Sequence, residues 1–131
     1  MKKSYKGLVL WMLIYLVGFF PLIVMRADGN TVTKLTLLYT AVMIAILAYL
    51  IYKTDSIYWY NGISYEEAES AGYERRSEYT YRHLQIFGRF AVLFAFFTIA
   101  SLHFEINIII DTVVFTVGLI ATAISTVKIK L

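Results

Sequence analysis

Four stretches of the chain carry almost nothing but apolar side chains, and the polar residues gather between them. Gly7 to Met25 (GLVLWMLIYLVGFFPLIVM) and Leu35 to Tyr52 (LTLLYTAVMIAILAYLIY) hold no charge at all. Ile86 to Phe104 is interrupted by Arg89 near its start, by His103 near its end and by a few hydroxyls. Ile108 to Val127 is interrupted by Asp111 and hydroxyls. A membrane span needs roughly 20 mostly apolar residues. A helix of a soluble bundle would instead show a polar stripe at helical spacing, and the first two runs show none. The pattern predicts an all-α polytopic membrane protein. Its four transmembrane helices lie at about 7–25, 35–52, 86–104 and 108–127, arranged as two hairpins in a single four-helix bundle over residues 1–131.

The long polar gap, residues 53–85, breaks this monotony with SYEEAESAGYERRSEYTYRHL from Ser64 to Leu84. Ser64 and Glu67 have the spacing of a capping box, in which each side chain satisfies a free backbone N–H of the other. Glu66, Glu67 and Glu69 then fall where negative charge suits the helix dipole. An amphipathic helix is expected from Ser64 toward the third span, with Gly72 its weakest point. Tyr58, Trp59 and Tyr60, just after the second span, read as an interfacial anchor, because such rings favour the headgroup layer. Within the first span Pro21, three residues after Gly18, predicts a bend.

Charge sets the expected orientation. Of the 12 lysines and arginines, only Arg26 and Lys34 flank the first short loop, and the turn at Glu105–Asn107 has none. The other ten lie at the two ends, in segment 53–85 and, as Arg89, at the start of the third run. By the positive-inside rule both termini and that segment are expected in the cytoplasm, in the cell membrane. The first apolar run is longer than a signal-peptide core, and Met25 spoils a cleavage site, so the run is expected to be retained. With no cysteine, disulfides and thiol chemistry are excluded.

Candidate chemistry is sparse. Arg75, Arg82 and Arg89 are spaced by sevens and share a helical face, with Arg76, Tyr79 and His83 at nearby angles. This face is a candidate for anionic lipid headgroups or a protein partner. Its structural reading is that Arg82, His83 and Arg89 snorkel to the headgroups and set the depth of the third span. Nucleic acid is not expected, with a net charge of only +3 and five glutamates in the same segment. In the second pair of spans, His103, Asp111, Thr116 and Thr122 form a candidate polar membrane site. Asp111 is expected to be hydrated or bonded to Asn107, or to pair with His103 across the turn. Two histidines on opposite sides of the bilayer support no metal site, and no cofactor loop or catalytic triad is present. Gly118 and Thr122 form a small-xxx-small pair, which suits close packing within the chain or a homo-oligomer.

Tyr60 to Glu69, YNGISYEEAE, resembles the YNTMSKEEKE type of stretch in a family of small bacterial membrane proteins of unknown function. Tyr60, Asn61, Ser64, Glu66 and Glu67 carry the likeness, and GRF (Gly88 to Phe90) is similar to the start of the span that follows there. Gly62 replaces the family's threonine, and the spacing to the next span is longer. The resemblance implies a polar segment between spans and no particular activity. Together these features point to a non-enzymatic accessory or regulatory protein, an immunity or assembly factor that docks a larger membrane partner. The alternatives are a small oligomeric transporter or channel, and a lipid-headgroup binder or enzyme.

Overall fold

The computed structural model describes residues 3–25, 27–60 and 62–131. Lys2 and Arg26 of the charge asymmetry, and Asn61 of the family-like stretch, lie outside the described residues. The elements are α1 (Lys6–Val17), α2 (Phe19–Ile23), α3 (Gly29–Thr54), a 3-10 turn (Ile57–Trp59), α4 (Tyr65–Ala71), α5 (Tyr73–Phe104) and α6 (Ile108–Val127). All are helical, and four helical stretches are long and apolar enough to cross a membrane: Lys6–Ile23, Gly29–Thr54, Tyr73–Phe104 and Ile108–Val127.

Local rules account for most of the boundaries. Asp28 caps α3 by accepting from the Thr31 N–H, and Asn107 caps α6 by accepting from Ile109 N–H at 2.8 Å. The Ser64–Glu67 capping box forms in full at the start of α4. The expected weak point at Gly72 is a complete break, with φ +86, so α4 and α5 are separate helices. In the first span the chain breaks at Gly18, and Pro21 becomes the third residue of α2. In a first turn its missing N–H costs nothing, because that donor has no intrahelical partner. A Cβ on Gly18 would stand 1.9 Å from the Tyr39 hydroxyl, so only glycine admits the close approach of that ring. The Tyr39 hydroxyl donates to the Tyr15 carbonyl at 2.7 Å, anchoring the break to α3.

Packing centres on a seam between α3 and α5. Lys34, Ala41, Ala48 and Asp55 follow one another by sevens along α3, and Ala41 and Ala48 are 0% and 2% exposed. Small side chains there let α5 come close, the usual device for holding helices together in lipid. Against this strip α5 presents Phe90 and Phe94, and α6 adds Val114, Phe115 and Leu119. Beyond the far end of α3, a second apolar cluster joins Ile57, Ala68 and Tyr79 with Tyr60, Ile63, Ile129 and Leu131. The α1–α2 span is peripheral and buries no residue. It leans on α3 through stacked Tyr15 and Tyr39 rings, 5.3 Å apart, and through a Trp11 Nε1 bond to the Met43 carbonyl.

The small-residue pair on α6 serves the interior of the chain. A Cβ on Gly118 would lie 2.8 Å from Phe90 Cε1. Gly118→Leu is therefore expected to push Phe90 out of its place and destabilise the fold by about 1–3 kcal/mol. Thermal unfolding in detergent, against the lipid-facing control Ile124→Leu, reads this directly.

Candidate functional site

Two buried cations hold opposite ends of the α3–α5 seam. At one end, Lys34 sits one turn into α3 and is 4% exposed. Its ammonium donates to the Ser101 carbonyl at 3.0 Å, to Ser101 Oγ at 2.6 Å and to the Ile106 carbonyl. All three of its protons thus go to the last turn of α5 and the bend that follows. Asp111 Oδ2 stands 3.4 Å from the same ammonium, and Asp111 is 1% exposed. The setting suits both charges. Lys34 faces the negative, C-terminal end of α5, and Asp111 lies in the first turn of α6, where the N–H groups point. The turn between them is forced by Glu105, a left-handed residue at φ +52.

The Lys34–Asp111 arrangement corrects the sequence reading of this region. The Asp111 carboxylate is buried rather than exposed to solvent, and it is not bonded to the Asn107 side chain, which caps α6 instead. His103 is exposed and packs its ring on Phe104, 4.9 Å away, so no His103–Asp111 pair forms. Thr116 is exposed, and Thr122 donates to the Gly118 carbonyl of its own helix. Between Asp111 and Thr122, the rings of Phe90, Phe94 and Phe115 fill the interior. The four residues do not line one polar path. A groove of about 390 Å³ opens above Lys34, lined by Asp28, Asn30, Thr31, Leu102, Glu105 and Ile106. Bonding to Thr31 holds the Asp28 carboxyl below the usual range.

At the other end, Arg76 forks onto Asp55. Its Nε donates to Asp55 Oδ1 at 2.9 Å, its Nη2 to Oδ2 at 3.0 Å, and its Nη1 to the Ala68 carbonyl at 2.9 Å. One guanidinium thereby joins the end of α3, the last turn of α4 and the first turn of α5. Asp55 is left-handed at φ +54, which aspartate tolerates better than most residues. His83 is buried too, bonding the Tyr79 carbonyl through Nδ1 and packing its ring 4.5 Å from Tyr60 and 4.3 Å from Tyr79. The buried Tyr60 hydroxyl has no hydrogen-bond partner among the described residues, and burial pushes its pKa well above the usual tyrosine range.

The basic face expected on α5 is thus divided. Arg76, Tyr79 and His83 turn inward and hold the structure, so His83 does not snorkel to headgroups. Arg75, Arg82 and Arg89 stay exposed. Arg82 pairs with Glu78 at 2.7 Å, both more than half exposed, so that pair adds little stability. The fold brings Lys130 to this side. Arg75, Glu78, Tyr79 and Arg82 line a groove of about 280 Å³ with Ile129, Lys130 and Leu131. The tyrosine–tryptophan anchor also turns partly inward. Tyr58 is 6% exposed and its hydroxyl both accepts from Ser4 N–H and donates to Ser4 O, while Trp59 Nε1 donates to Ser4 O. These bonds fasten the start of the chain to the turn after α3.

No cluster of three or more metal-ligating side chains occurs among the described residues. Sequence reasoning missed Lys34, Ser101 and Lys130. For Lys34 the available signal was its place on the Ala41–Ala48 strip. No family model, curated protein or solved structure matches the chain.

Removing one member of a buried pair strands the other. Lys34→Met is expected to cost about 3–5 kcal/mol, and Lys34→Met with Asp111→Leu to recover most of that loss. A double-mutant cycle on unfolding in detergent measures the coupling.

Proposed function

We propose that the protein is a multi-pass protein of the cell membrane, built as two hairpins, with both termini and segment 53–85 in the cytoplasm. In this reading it carries out no chemistry of its own and acts by docking a larger membrane protein. The ten-to-two excess of lysine and arginine supports the orientation.

One observation carries the docking reading: the span Lys6–Ile23 has no fully buried residue. In lipid, helices associate through packing and polar bonds rather than by hydrophobic exclusion. This span gives its aromatic side, Trp11, Tyr15 and Phe19, to α3 and keeps Leu10, Leu13, Val17 and Phe20 outward. A groove of about 480 Å³ runs along that outward side, lined by Tyr5, Lys6, Val9, Leu10 and Leu13. It suits the side chains of a partner helix. The buried polar groups support the reading from the other direction, since Lys34 and Arg76 are engaged in joining helices and His83 in a bond within α5.

A photo-crosslinking side chain at Leu13 should yield one defined product with a larger membrane protein in intact cells, and the same group at Ile124 should not. A smear of products, or equal products at both positions, would mean that lipid alone covers the span. The orientation is checked separately. The chain has no native cysteine, so an impermeant thiol reagent on intact cells should label Asn30→Cys and spare Ser70→Cys.

A further inference from the structure

We infer that the groove between α5 and the residues after α6 binds the phosphate of an anionic membrane lipid. Three cations from two distant parts of the chain, Arg75, Arg82 and Lys130, line it against a single side-chain carboxylate, Glu78. Arg75 and Lys130 take part in no ion pair among the described residues. The side chains that line the groove therefore carry a net positive charge. Guanidinium forks match the oxygens of a phosphodiester, and the Arg82–Glu78 pair leaves the remaining donors of Arg82 available.

Depth selects a lipid as the source of that phosphate. The 20 residues of α6 rise about 30 Å, the thickness of the hydrocarbon, so Lys130 stands just past its edge. Measured along α5 from Phe104, Arg82 lies about 33 Å away, at the same level. Arg75 comes from two turns beyond and reaches back into the groove. Ile129, Leu131 and the Tyr79 ring give the groove an apolar wall for the glycerol and the first methylenes of a lipid. A zwitterionic headgroup would bring its own ammonium up to Arg75 and Lys130 and be disfavoured. The inference stands independently of the docking reading, which concerns the opposite end of the sequence.

The full chain purified in detergent and titrated by native mass spectrometry should hold phosphatidylglycerol about tenfold more tightly than phosphatidylcholine. The Arg75→Gln/Lys130→Gln variant should reduce that preference to about twofold or less. Glu78→Gln, which frees Arg82, should increase it. Lys53→Gln removes an exposed charge outside the groove and should change nothing. Equal retention of the two lipids, or an equal loss in Lys53→Gln, would overturn the site in favour of bulk surface charge. Excess inorganic phosphate should leave phosphatidylglycerol in place. Full displacement by it would mean that free phosphate is the ligand and would overturn the lipid assignment. An unchanged helical circular-dichroism spectrum in each variant keeps a folding defect from passing as lost binding.

Discussion

The bond between Lys34 and the end of α5 sets the terms for the rest of the molecule. A charge buried at a span end is costly unless acceptors and an opposite charge meet it. Here the Ser101 and Ile106 carbonyls and the Ser101 hydroxyl take the protons, and Asp111 supplies the counter-charge. That set of partners exists only if α5 stops where it does, the chain turns sharply at Glu105, and α6 starts with Asp111 facing back. One side chain on α3 thus fixes the stagger of three helices. At the opposite end of the seam, Arg76 does the same for α3, α4 and α5. Lys34 and Asp55 are 21 residues apart on α3, about 32 Å, close to the hydrocarbon thickness. If the helices span a bilayer, both charged joints fall at its boundaries, where water and headgroups soften the cost, and the strip between them is alanine and aromatic rings.

How much of this was legible follows from which residues have more than one use. Continuous apolar runs have one use at this length, so the four candidate spans were readable. Ser64 with Glu67 and the glycine at position 72 act through the local backbone, and they behave as their spacing predicts. Cations near a span end are different. Lys34 and Arg76 have no sequence feature that separates them from Arg75 and Arg82, since each has polar neighbours close by. Whether such a side chain faces lipid headgroups or a neighbouring carbonyl depends on the rotation of its helix within the assembly. Arg75 and Arg76, adjacent in sequence and about 100° apart on α5, end on opposite sides of that choice. The Lys34–Ala41–Ala48–Asp55 repeat held part of the answer, because a charge on the same stripe as two alanines shares the side meant for close packing.

The same geometry separates the surfaces that remain. Because Arg76, Thr80, His83, Phe90, Phe94, Thr98 and Ser101 occupy the inward stripe of α5, the heptad of Arg75, Arg82 and Arg89 is rotated onto its flank. There it runs down to the bilayer edge, where the residues after α6 arrive. Ile129 and Leu131 are drawn to that place by the apolar cluster around Ile57, Ala68 and Tyr79, and they carry Lys130 with them. The positive groove is thus a by-product of where an apolar tail finds cover. The first span differs because no ion pair among the described residues ties it to α3. Its bonds to α3 come from Trp11, Tyr15 and Tyr39 alone, and its fixed point is Ser4, held by Tyr58 and Trp59. A helix secured at one end and along one aromatic side can shift against α3 without disturbing either buried cation, while the α3–α5–α6 core cannot shift without breaking one. Under the docking proposal, motion that accompanies binding along α1 would be confined to the part of the fold that can absorb it.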